Sequence, residues 1–389
     1  MNRFCSIFCQ ILQLFSRIDF EKAVREHRAN RHERGFRCWT QFVAMLFCQL
    51  GRANSLREIT GGLASCEGKI AHLGISNAPK RSTLSYANEH RPWQVYQTVF
   101  FQLLQNCKGA ASGVNRKFRF KNRLLSLDST IIDLCATLYD WAKFRRTKGA
   151  IKLHLILDHE GYLPCFAVIT QGGLHDIKVA RQLKFEPDTL LVVDRGYNDY
   201  ELFYKWNQSE VFFFTRMKTN ASYRVMKNLD FKPKTGVRKK QLIQLSGRGA
   251  EKYPMKLRRV EYYDKEQERT LVFLTNHLEF AASSVARVYK ERWQIELFFK
   301  VLKQNLKIKT FVGTSANALK IQVWTALIAM LILRYLQLRS SFGWSLSNLV
   351  ALLRMNLFTH RDFWAWLDKP YSTPPLPNDT QQSFSFGKI

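Results

Sequence analysis

The sequence predicts an α/β protein that has an N-terminal helical domain and a β-rich insert within its core. Three patterns carry this prediction. Residues 1–108 place apolar side chains at helical spacing, residues 120–215 contain short apolar runs typical of strands, and residues 216–275 contain three more strands joined by polar turns. With 389 residues, 46% of them hydrophobic, the chain is long enough for two or three packed domains and is not of the disordered class.

The N-terminal helices are predicted from apolar periodicity and from one capping residue. Apolar side chains recur every three or four positions in residues 4–15 and again in residues 42–50. Ser55 is a typical N-cap for a helix that begins at Leu56. We therefore expect short helices throughout the first domain.

The core is predicted to comprise residues 120–215 and 276–337. Its strands are predicted at residues 124–130, 150–158, 163–170, 189–194 and 211–215. The first three follow one another closely, whereas a helix separates the last two, and the run 189–194 is apolar on both faces, as in the centre of a covered sheet. Three antiparallel strands followed by two strands separated by helices is the order of a ribonuclease-H-like α/β core.

The insert and the C-terminal region complete the predicted organisation. The insert, residues 216–275, contains predicted strands Val237–Leu245, Met255–Tyr263 and Arg269–Thr275. Residues from 276 to 337 are predicted to be helical. Residues 338–389 are expected to form a helical segment and a flexible tail rich in Pro, Ser and Gln.

The charge of the chain favours nucleic acid as a partner. Sixty Lys and Arg residues face 31 Asp and Glu residues, which leaves a net charge of +29, and cationic side chains displace counterions from phosphates. A basic ribosome-associated or membrane-surface protein is the alternative. The insert concentrates this charge, with 14 Lys or Arg against two acidic residues between positions 216 and 259, so it fits a phosphate backbone unless it is only a solvated surface. The N-terminal domain is expected to recognise DNA ends, or else to be a helical cap on the core.

Cysteine spacing and apolar runs indicate a reducing, non-membrane location. The eight cysteines include no Cys-x2-Cys pair, which argues against a zinc ribbon, and they lie within apolar runs. Arg3, Arg17 and Asp19 interrupt the apolar residues near the N-terminus, so no signal peptide is predicted. The run Val323–Leu333 is too short to span a bilayer and is predicted to be a buried helix.

Asp128 and Asp194 each follow an apolar run and are predicted to end a strand. Side chains at the carboxyl ends of strands point into the crevice where ligands bind in α/β sheets. Two carboxylates brought together there repel unless a cation neutralises them, and oxygen ligands favour Mg²⁺ or Mn²⁺. Two such ions can activate a nucleophile and stabilise the leaving oxygen of an in-line displacement. The alternative for either aspartate is that it only caps the following helix.

A narrow polar stripe is predicted on a helix that covers residues 289–303. The stripe consists of Tyr289, Arg292, Glu296 and Lys303, which fall within roughly 60° of one another at about 100° per residue. Apolar side chains cover most of the remainder, so we expect a mostly buried helix whose stripe faces a groove. Glu296 is then a candidate third metal ligand, and Tyr289, Arg292 and Lys303 are candidates for phosphate binding. An ion pair between Glu296 and Arg292, four residues apart, is the alternative.

The same residues resemble a known family signature. The spacing Tyr-x2-Arg-x3-Glu-x6-Lys between residues 289 and 303 is similar, position for position, to the signature of DDE transposases in the insertion-sequence-four family. Residues 194–197 (Asp-Arg-Gly-Tyr) and 127–130 (Leu-Asp-Ser-Thr) resemble the surroundings of that family's second and first aspartates. The match covers about residues 120–337, and residues 36–43 resemble the N-terminal domain of one branch.

The resemblance implies a ribonuclease-H-like core, a β-rich insert before the glutamate, and cut-and-paste transposition of double-stranded DNA. Asp128, Asp194 and Glu296 would bind two ions of Mg²⁺ or Mn²⁺ and carry every phosphoryl transfer in turn. A 3′-hydroxyl freed at the transposon end attacks the opposite strand to form a hairpin, water opens it, and the hydroxyl then attacks target DNA. Tyr289, Arg292 and Lys303 would hold the 5′ terminal phosphate near the hairpin step.

The resemblance also implies partners and a location. Members of the family act as homodimers that bridge two terminal inverted repeats in a synaptic complex, and an insertion-sequence enzyme of this kind belongs to the bacterial cytoplasm and nucleoid. One feature departs from the pattern. A tryptophan of the insert can stack on a flipped base in this family, but residues 207–292 contain no Trp. The candidates for that place are Tyr223, Tyr253, Tyr262 and Tyr263, each of which could instead pack within the sheet.

Two other functions compete with transposition. A metal-dependent nuclease that cuts DNA without joining it uses the same carboxylates. A DNA-binding protein without catalysis is the other alternative, and the intact triad argues against it because such a protein has no need of three acidic groups beside DNA phosphates.

Overall fold

A computed structural model describes residues 4–31, 33, 35–66, 70–111, 117–135, 139–145, 148–231, 235–306 and 311–372. The helices are α1 (Ile7–Leu12), α2 (Arg17–Glu26), α3 (Cys38–Leu50), α4 (Leu56–Ala64), α5 (Arg81–His90), α6 (Gln94–Ala111), α7 (Asp176–Ala180), α8 (Tyr200–Gln208), α9 (Arg248–Lys252), α10 (Ala282–Lys290), α11 (Trp293–Asn305), α12 (Ala316–Arg339), α13 (Leu346–Asn356) and α14 (Phe363–Asp368). The strands are β1 (Leu124–Cys135), β2 (Lys143–Arg145), β3 (Lys148–Asp158), β4 (Leu163–Gln171), β5 (Leu190–Val193), β6 (Phe212–Arg216), β7 (Tyr223–Asn228), β8 (Val237–Leu245), β9 (Leu257–Asp264) and β10 (Arg269–Thr275).

The centre of the sheet has the strand order β4-β3-β1-β5-β6. Strand β3 is antiparallel to both β1 and β4, whereas β1, β5 and β6 run parallel to one another. Short β5 is apolar and fully buried, as a central strand covered on both faces should be. Three antiparallel strands followed by two parallel ones confirm the ribonuclease-H-like core that the sequence predicts.

The strands of the insert extend this same sheet. Strand β10 pairs antiparallel with β6, with Phe214 opposite Thr275, and β9, β8 and β7 follow outward in that order. Strand β7 was not predicted from the sequence, because five of its six residues are exposed and no buried alternation marks it as a strand. The basic insert is therefore a continuation of the catalytic sheet toward solvent.

Helix α12 is the centre of the helical layer on one face of the sheet. All residues from Val323 to Leu333 are buried, and Trp324 lies against the rings of Trp93 and Phe100. The helix is long and apolar enough to cross a membrane by length and composition, but 83% of its most apolar window is buried inside the protein. It is the buried helix that the sequence predicts, extended at both ends.

The N-terminal helices share one hydrophobic core with α12 and with the C-terminal helices. The chain near the N-terminus also meets the segment before α14, where Ile7 and Phe8 donate backbone hydrogen bonds to Thr359 and Leu357. In its packing, the N-terminal region is a helical cap on the core, and its DNA-binding role stays a prediction. The tail predicted to be flexible lies outside the described residues from position 373 onward.

Candidate active site

Parallel pairing of β1 with β5 places Asp128 beside Asp194. Leu127 lies opposite Val193 in this pairing, and each aspartate is the next residue along its strand. Neighbouring strands lie about 4.8 Å apart, so the two aspartate backbones are neighbours. The prediction that Asp128 ends its strand was wrong: β1 continues to Cys135 because β3 pairs with it along that whole length. Asp128 instead marks the point where the parallel partner β5 ends.

The side chain of Arg292 joins the third carboxylate to the first. Its Nη1 donates to Oδ2 of Asp128 at 3.2 Å, and its Nη2 donates to Oε1 of Glu296. The ion pair between Arg292 and Glu296 that the sequence offered as an alternative is therefore present. It does not stand alone, because the same guanidinium also brings α11 to β1.

Asp128 is mostly buried, and this changes its acidity. Burial raises the pKa of its carboxyl to about 6, with smaller increases from the negative charges of Asp194 and Glu296. The backbone amide of Ser129, which donates to Oδ1 at 2.8 Å, and the guanidinium of Arg292 act in the opposite direction.

A second arginine, which the sequence analysis did not single out, contacts Asp194. Nη2 of Arg216 lies 3.3 Å from Oδ1 of Asp194. Arg216 is the last residue of β6, and β6 runs parallel to β5, so the two strands end at the same edge of the sheet. A basic residue at the end of the strand after the second aspartate is the sequence signal that could have identified it.

The pKa of Asp194 lies below its usual value. Burial raises this pKa, but the backbone amide of Arg195 and the guanidinium groups of two arginines outweigh that effect. Those arginines are Arg292 and Arg216. Asp194 is therefore held in its ionised form. Asp128 shares the Arg292 guanidinium but not Arg216, and burial raises its pKa instead.

The polar stripe predicted on one helix is divided between two. Tyr289 belongs to α10, and α11 begins at Trp293. The intervening turn is closed by short-range bonds, in which the amide of Arg292 donates to the carbonyl of Tyr289 and the amide of Gln294 to that of Glu291. Such bonds span three residues instead of four and tighten the backbone.

Tyr289 and Lys303 occupy different surroundings from Arg292. The ring of Tyr289 is buried and lies 4.9 Å from that of Phe273, with the Arg292 guanidinium 5.8 Å from its ring centre. Burial raises the pKa of its hydroxyl. Lys303 is half-buried and lies about two turns beyond Glu296 on α11.

Comparison with known proteins gives the family. Residues 119–332 match the family described as "Transposase DDE domain", and residues 5–76 match one described as "Domain of unknown function (DUF4372)". The chain is 30% identical over 319 residues to a protein of Sinorhizobium fredii named as transposase y4zB, a match that covers 79% of this chain and 87% of that protein. The chain belongs to the DDE transposases of insertion-sequence elements.

Further similarities accompany that assignment. The transposase is 29% identical over 257 residues to a Geobacillus stearothermophilus protein named as a transposase for insertion sequence element IS5377, which covers 66% of this chain and 67% of that one. The solved structure of the piggyBac transposase synaptic complex with hairpin DNA has a TM-score of 0.42 and 11% identity, and it covers 95% of this chain and 81% of that chain. As a DDE transposase, the enzyme cleaves and transfers DNA strands and depends on divalent metal.

The three carboxylates suit such a metal as ligands, although the Arg292 guanidinium lies between two of them. Within the part of the chain that the structure describes, no three His, Cys, Asp or Glu side chains form a ready metal site. The guanidinium of Arg292 contacts two of the three carboxylates. Asp128, Asp194 and Glu296 nevertheless offer the carboxylate oxygens that Mg²⁺ and Mn²⁺ prefer. A cation there would also favour the ionised form of Asp128.

The structure reduces the number of insert tyrosines that could stack on a flipped base. Tyr253 is fully buried, which removes it. Tyr223, Tyr262 and Tyr263 are half-buried, and each carries a Lys or Arg side chain over its ring. Trp293, the residue after Arg292, has a ring that is 55% exposed. It lies one position beyond residues 207–292, which contain no Trp.

Proposed function

We propose that this transposase moves its element by cut-and-paste transposition, with Asp128, Asp194 and Glu296 binding two divalent ions. The observation that carries the proposal is the pairing of β1 with β5, which makes the two aspartates neighbours, together with Arg292, which contacts both Asp128 and Glu296. A partly buried group of mutually repelling carboxylates is the arrangement that a divalent cation stabilises.

The residues of the site have separate roles in this proposal. Mg²⁺ or Mn²⁺ bound by the carboxylates would supply activation of water or of a 3′-hydroxyl and stabilisation of the leaving oxygen. Arg292 and Arg216 now neutralise the carboxylates, and both are free to turn to DNA phosphates once that charge is neutralised otherwise. Because its pKa is lowered, Asp194 is ionised at neutral pH and can bind a cation without first losing a proton.

The hairpin step would use the residues around the α10–α11 turn. Arg292 and Lys303 would hold the 5′ terminal phosphate, and the hydroxyl of Tyr289 would donate to it if the DNA reaches that depth. Trp293 would provide the stacking surface that the insert lacks, because an exposed aromatic face stacks on any base. The resemblance to the family supports the hairpin route, and the exposed ring beside Arg292 supports this assignment.

DNA would bind at two further places. The insert, with 14 basic residues between 216 and 259, extends the catalytic sheet and suits the phosphate backbone of the transposon end. The N-terminal helical domain would recognise the terminal inverted repeat. A homodimer would bridge two ends in the bacterial cytoplasm and then join them to target DNA.

The triad is tested by replacing each carboxylate with its amide. Asp128→Asn, Asp194→Asn and Glu296→Gln should each lower the rate of end cleavage about a thousandfold or more, because a lost metal ligand removes several kcal/mol of transition-state stabilisation. Binding of a duplex carrying the terminal repeat should survive, which a gel-shift assay measures. Normal cleavage by any one of the three variants would contradict the assignment.

A strand-transfer assay separates transposition from simple nuclease activity. Pre-cut ends with a 3′-hydroxyl are incubated with supercoiled target DNA and Mg²⁺. Joined products are expected from the wild type and none from Asp128→Asn. Cleavage of uncut ends without any joining of pre-cut ones would instead indicate a nuclease.

A further inference from the structure

A buried carboxylate that the proposed chemistry does not use stands at the α10–α11 turn. Glu291 is only 5% exposed. It pairs with the ammonium of Lys117, accepts a hydrogen bond from the Tyr162 hydroxyl at 3.3 Å, and has its Oε2 3.7 Å from Nδ1 of His159. Two segments distant in sequence, one at Lys117 and the other at residues 159–162, thus converge on one side chain.

His159 also contacts β1, the strand that carries Asp128. Nε2 of His159 lies 2.7 Å from Oγ of Ser126, which is fully buried. Ser126 precedes Asp128 by two residues and shares its face of β1. Glu291 precedes Arg292, and Arg292 contacts Asp128. The Ser126–His159 hydrogen bond and the 3.7 Å contact of His159 with Glu291, which is longer than a hydrogen bond, therefore connect the two partners of that ion pair a second time.

One side of this turn borders a cavity of about 450 Å³, whose lining includes Lys117, His159, Tyr162, Glu291 and Arg334. On that side the contacts of the turn are polar, whereas buried Val288 and Ile295 pack the helices before and after it. The tight backbone bonds at Arg292 make the position of the turn decisive for where the guanidinium points.

The charge state of Glu291 agrees with an anchoring role. Burial raises the pKa of its carboxyl, but the nearby His159 and the Lys117 ammonium outweigh burial and hold the pKa below the ordinary value. A buried carboxylate is costly unless it is paired and hydrogen-bonded, and an apolar residue of similar size would cost less. The site therefore keeps a charge whose contribution is directional.

We propose that Glu291 is a positioning residue, which acts with His159 and Ser126 to set the place of Arg292 relative to Asp128. This inference rests on the proposed function for its catalytic consequence, but the link itself is a property of the fold. Without the Glu291 anchor, the turn relaxes into the adjoining cavity and the Arg292 guanidinium loses its fixed approach to Asp128.

The test compares Glu291→Gln, Ser126→Ala and the double variant with wild type. Both single variants should slow first-strand cleavage about tenfold to a hundredfold under single-turnover conditions, since small misplacements of an active-site group have effects of this size. The dissociation constant for end DNA should change less than about threefold. The double variant should be no more than about twofold slower than the slower single variant, because residues in one network are not additive.

A second measurement needs no turnover. Mn²⁺ binding to the DNA-free protein, followed by electron paramagnetic resonance, should become about three- to tenfold tighter in Glu291→Gln, because Arg292 then competes less well for the carboxylates. General damage to the fold would weaken Mn²⁺ binding and cleavage together. Glu266→Gln is the matched control: Glu266 is an exposed carboxylate 3.5 Å from Lys290, the residue before Glu291, and its variant should match wild type in both assays.

The outcomes distinguish this inference from the proposed function. Unchanged or weaker Mn²⁺ binding in Glu291→Gln, cleavage within threefold of wild type, or additive loss in the double variant would each overturn the positioning role. If the wild type binds Mn²⁺ but never cleaves end DNA, the proposed function fails, whereas the Mn²⁺ shift still decides whether Glu291 places Arg292.

Discussion

Helix α12 and the α10–α11 segment both belong to the helical part of the core, and they are built on opposite principles. Helix α12 runs unbroken for 24 residues and is buried by apolar contacts on all sides of its central part. The α10–α11 segment is interrupted at Glu291 and Arg292 and buries charged groups at the interruption. The first region is held by apolar contacts, whereas the second is held by its polar partners.

The difference shows where stability and chemistry are separated in this transposase. Apolar burial is strong and undirected, so it holds α12 in place without specifying a fine position for any one atom. Ion pairs and hydrogen bonds contribute less net free energy, but they fix the direction of each donor. Substitutions in the two regions should therefore fail in different assays.

The largest effect on stability is expected at the centre of α12. Trp324→Ala should lower the free energy of unfolding by about 3–5 kcal/mol, because a fully buried tryptophan leaves a cavity when it is truncated. Its indole nitrogen has no hydrogen-bond partner among the described residues, so the loss is one of packing. Urea denaturation followed by circular dichroism measures the shift. Trp364→Ala, at a ring that is 38% exposed, should cost about 1 kcal/mol or less, and equal losses would break the comparison.

The next effect is catalytic and concerns Arg292. Arg292→Ala should slow hairpin formation or opening about tenfold more than first-strand nicking, because the guanidinium would hold the terminal phosphate at the hairpin step. Denaturing gels resolve nicked, hairpin and opened products over time. The control is Arg287→Ala, since Arg287 is exposed on α10 and contacts only the Ser284 hydroxyl among the hydrogen bonds described. Equal loss at every step would contradict this role.

The smallest effect is expected at Trp293. Trp293→Ala should leave the unfolding free energy within about 0.5 kcal/mol of wild type, because the ring is more than half exposed. Hairpin yield should nevertheless fall about fivefold to a hundredfold, which corresponds to one lost base stack of roughly 1–3 kcal/mol. Trp293→Phe keeps an aromatic face and should restore most of the yield. A hairpin yield in Trp293→Ala that equals wild type would exclude the ring from the step.

The strands of the core could be predicted from the sequence because a buried strand is recognisable as a short run of apolar residues. Residues 189–194 are apolar on both faces, and the run ends at the carboxylate of Asp194 itself. The same reasoning missed the break between α10 and α11, because Glu291 and Arg292 keep right-handed helical backbone angles across it. Periodicity therefore places Tyr289 and Glu296 on one stripe whether or not the helix continues.

The residues that sequence patterns could not identify act through long-range contacts. Arg216 contacts Asp194 because β5 and β6 are parallel neighbours. Neither segment alone contains a sequence pattern that predicts this pairing. Glu291 occupies a position of the signature that has no fixed residue, and its partners Lys117 and His159 lie more than 130 positions away. Local periodicity carries no information about such meetings.

Strand β7 has a consequence for how copies of the protein behave together. It is the outer strand of the insert, it is exposed on both faces, and it carries Arg224 and Lys227 beside exposed Val225 and Met226. An uncovered strand edge invites pairing with a second chain, and positive charges along it repel that chain. Removal of those two charges should therefore make this edge more prone to self-association.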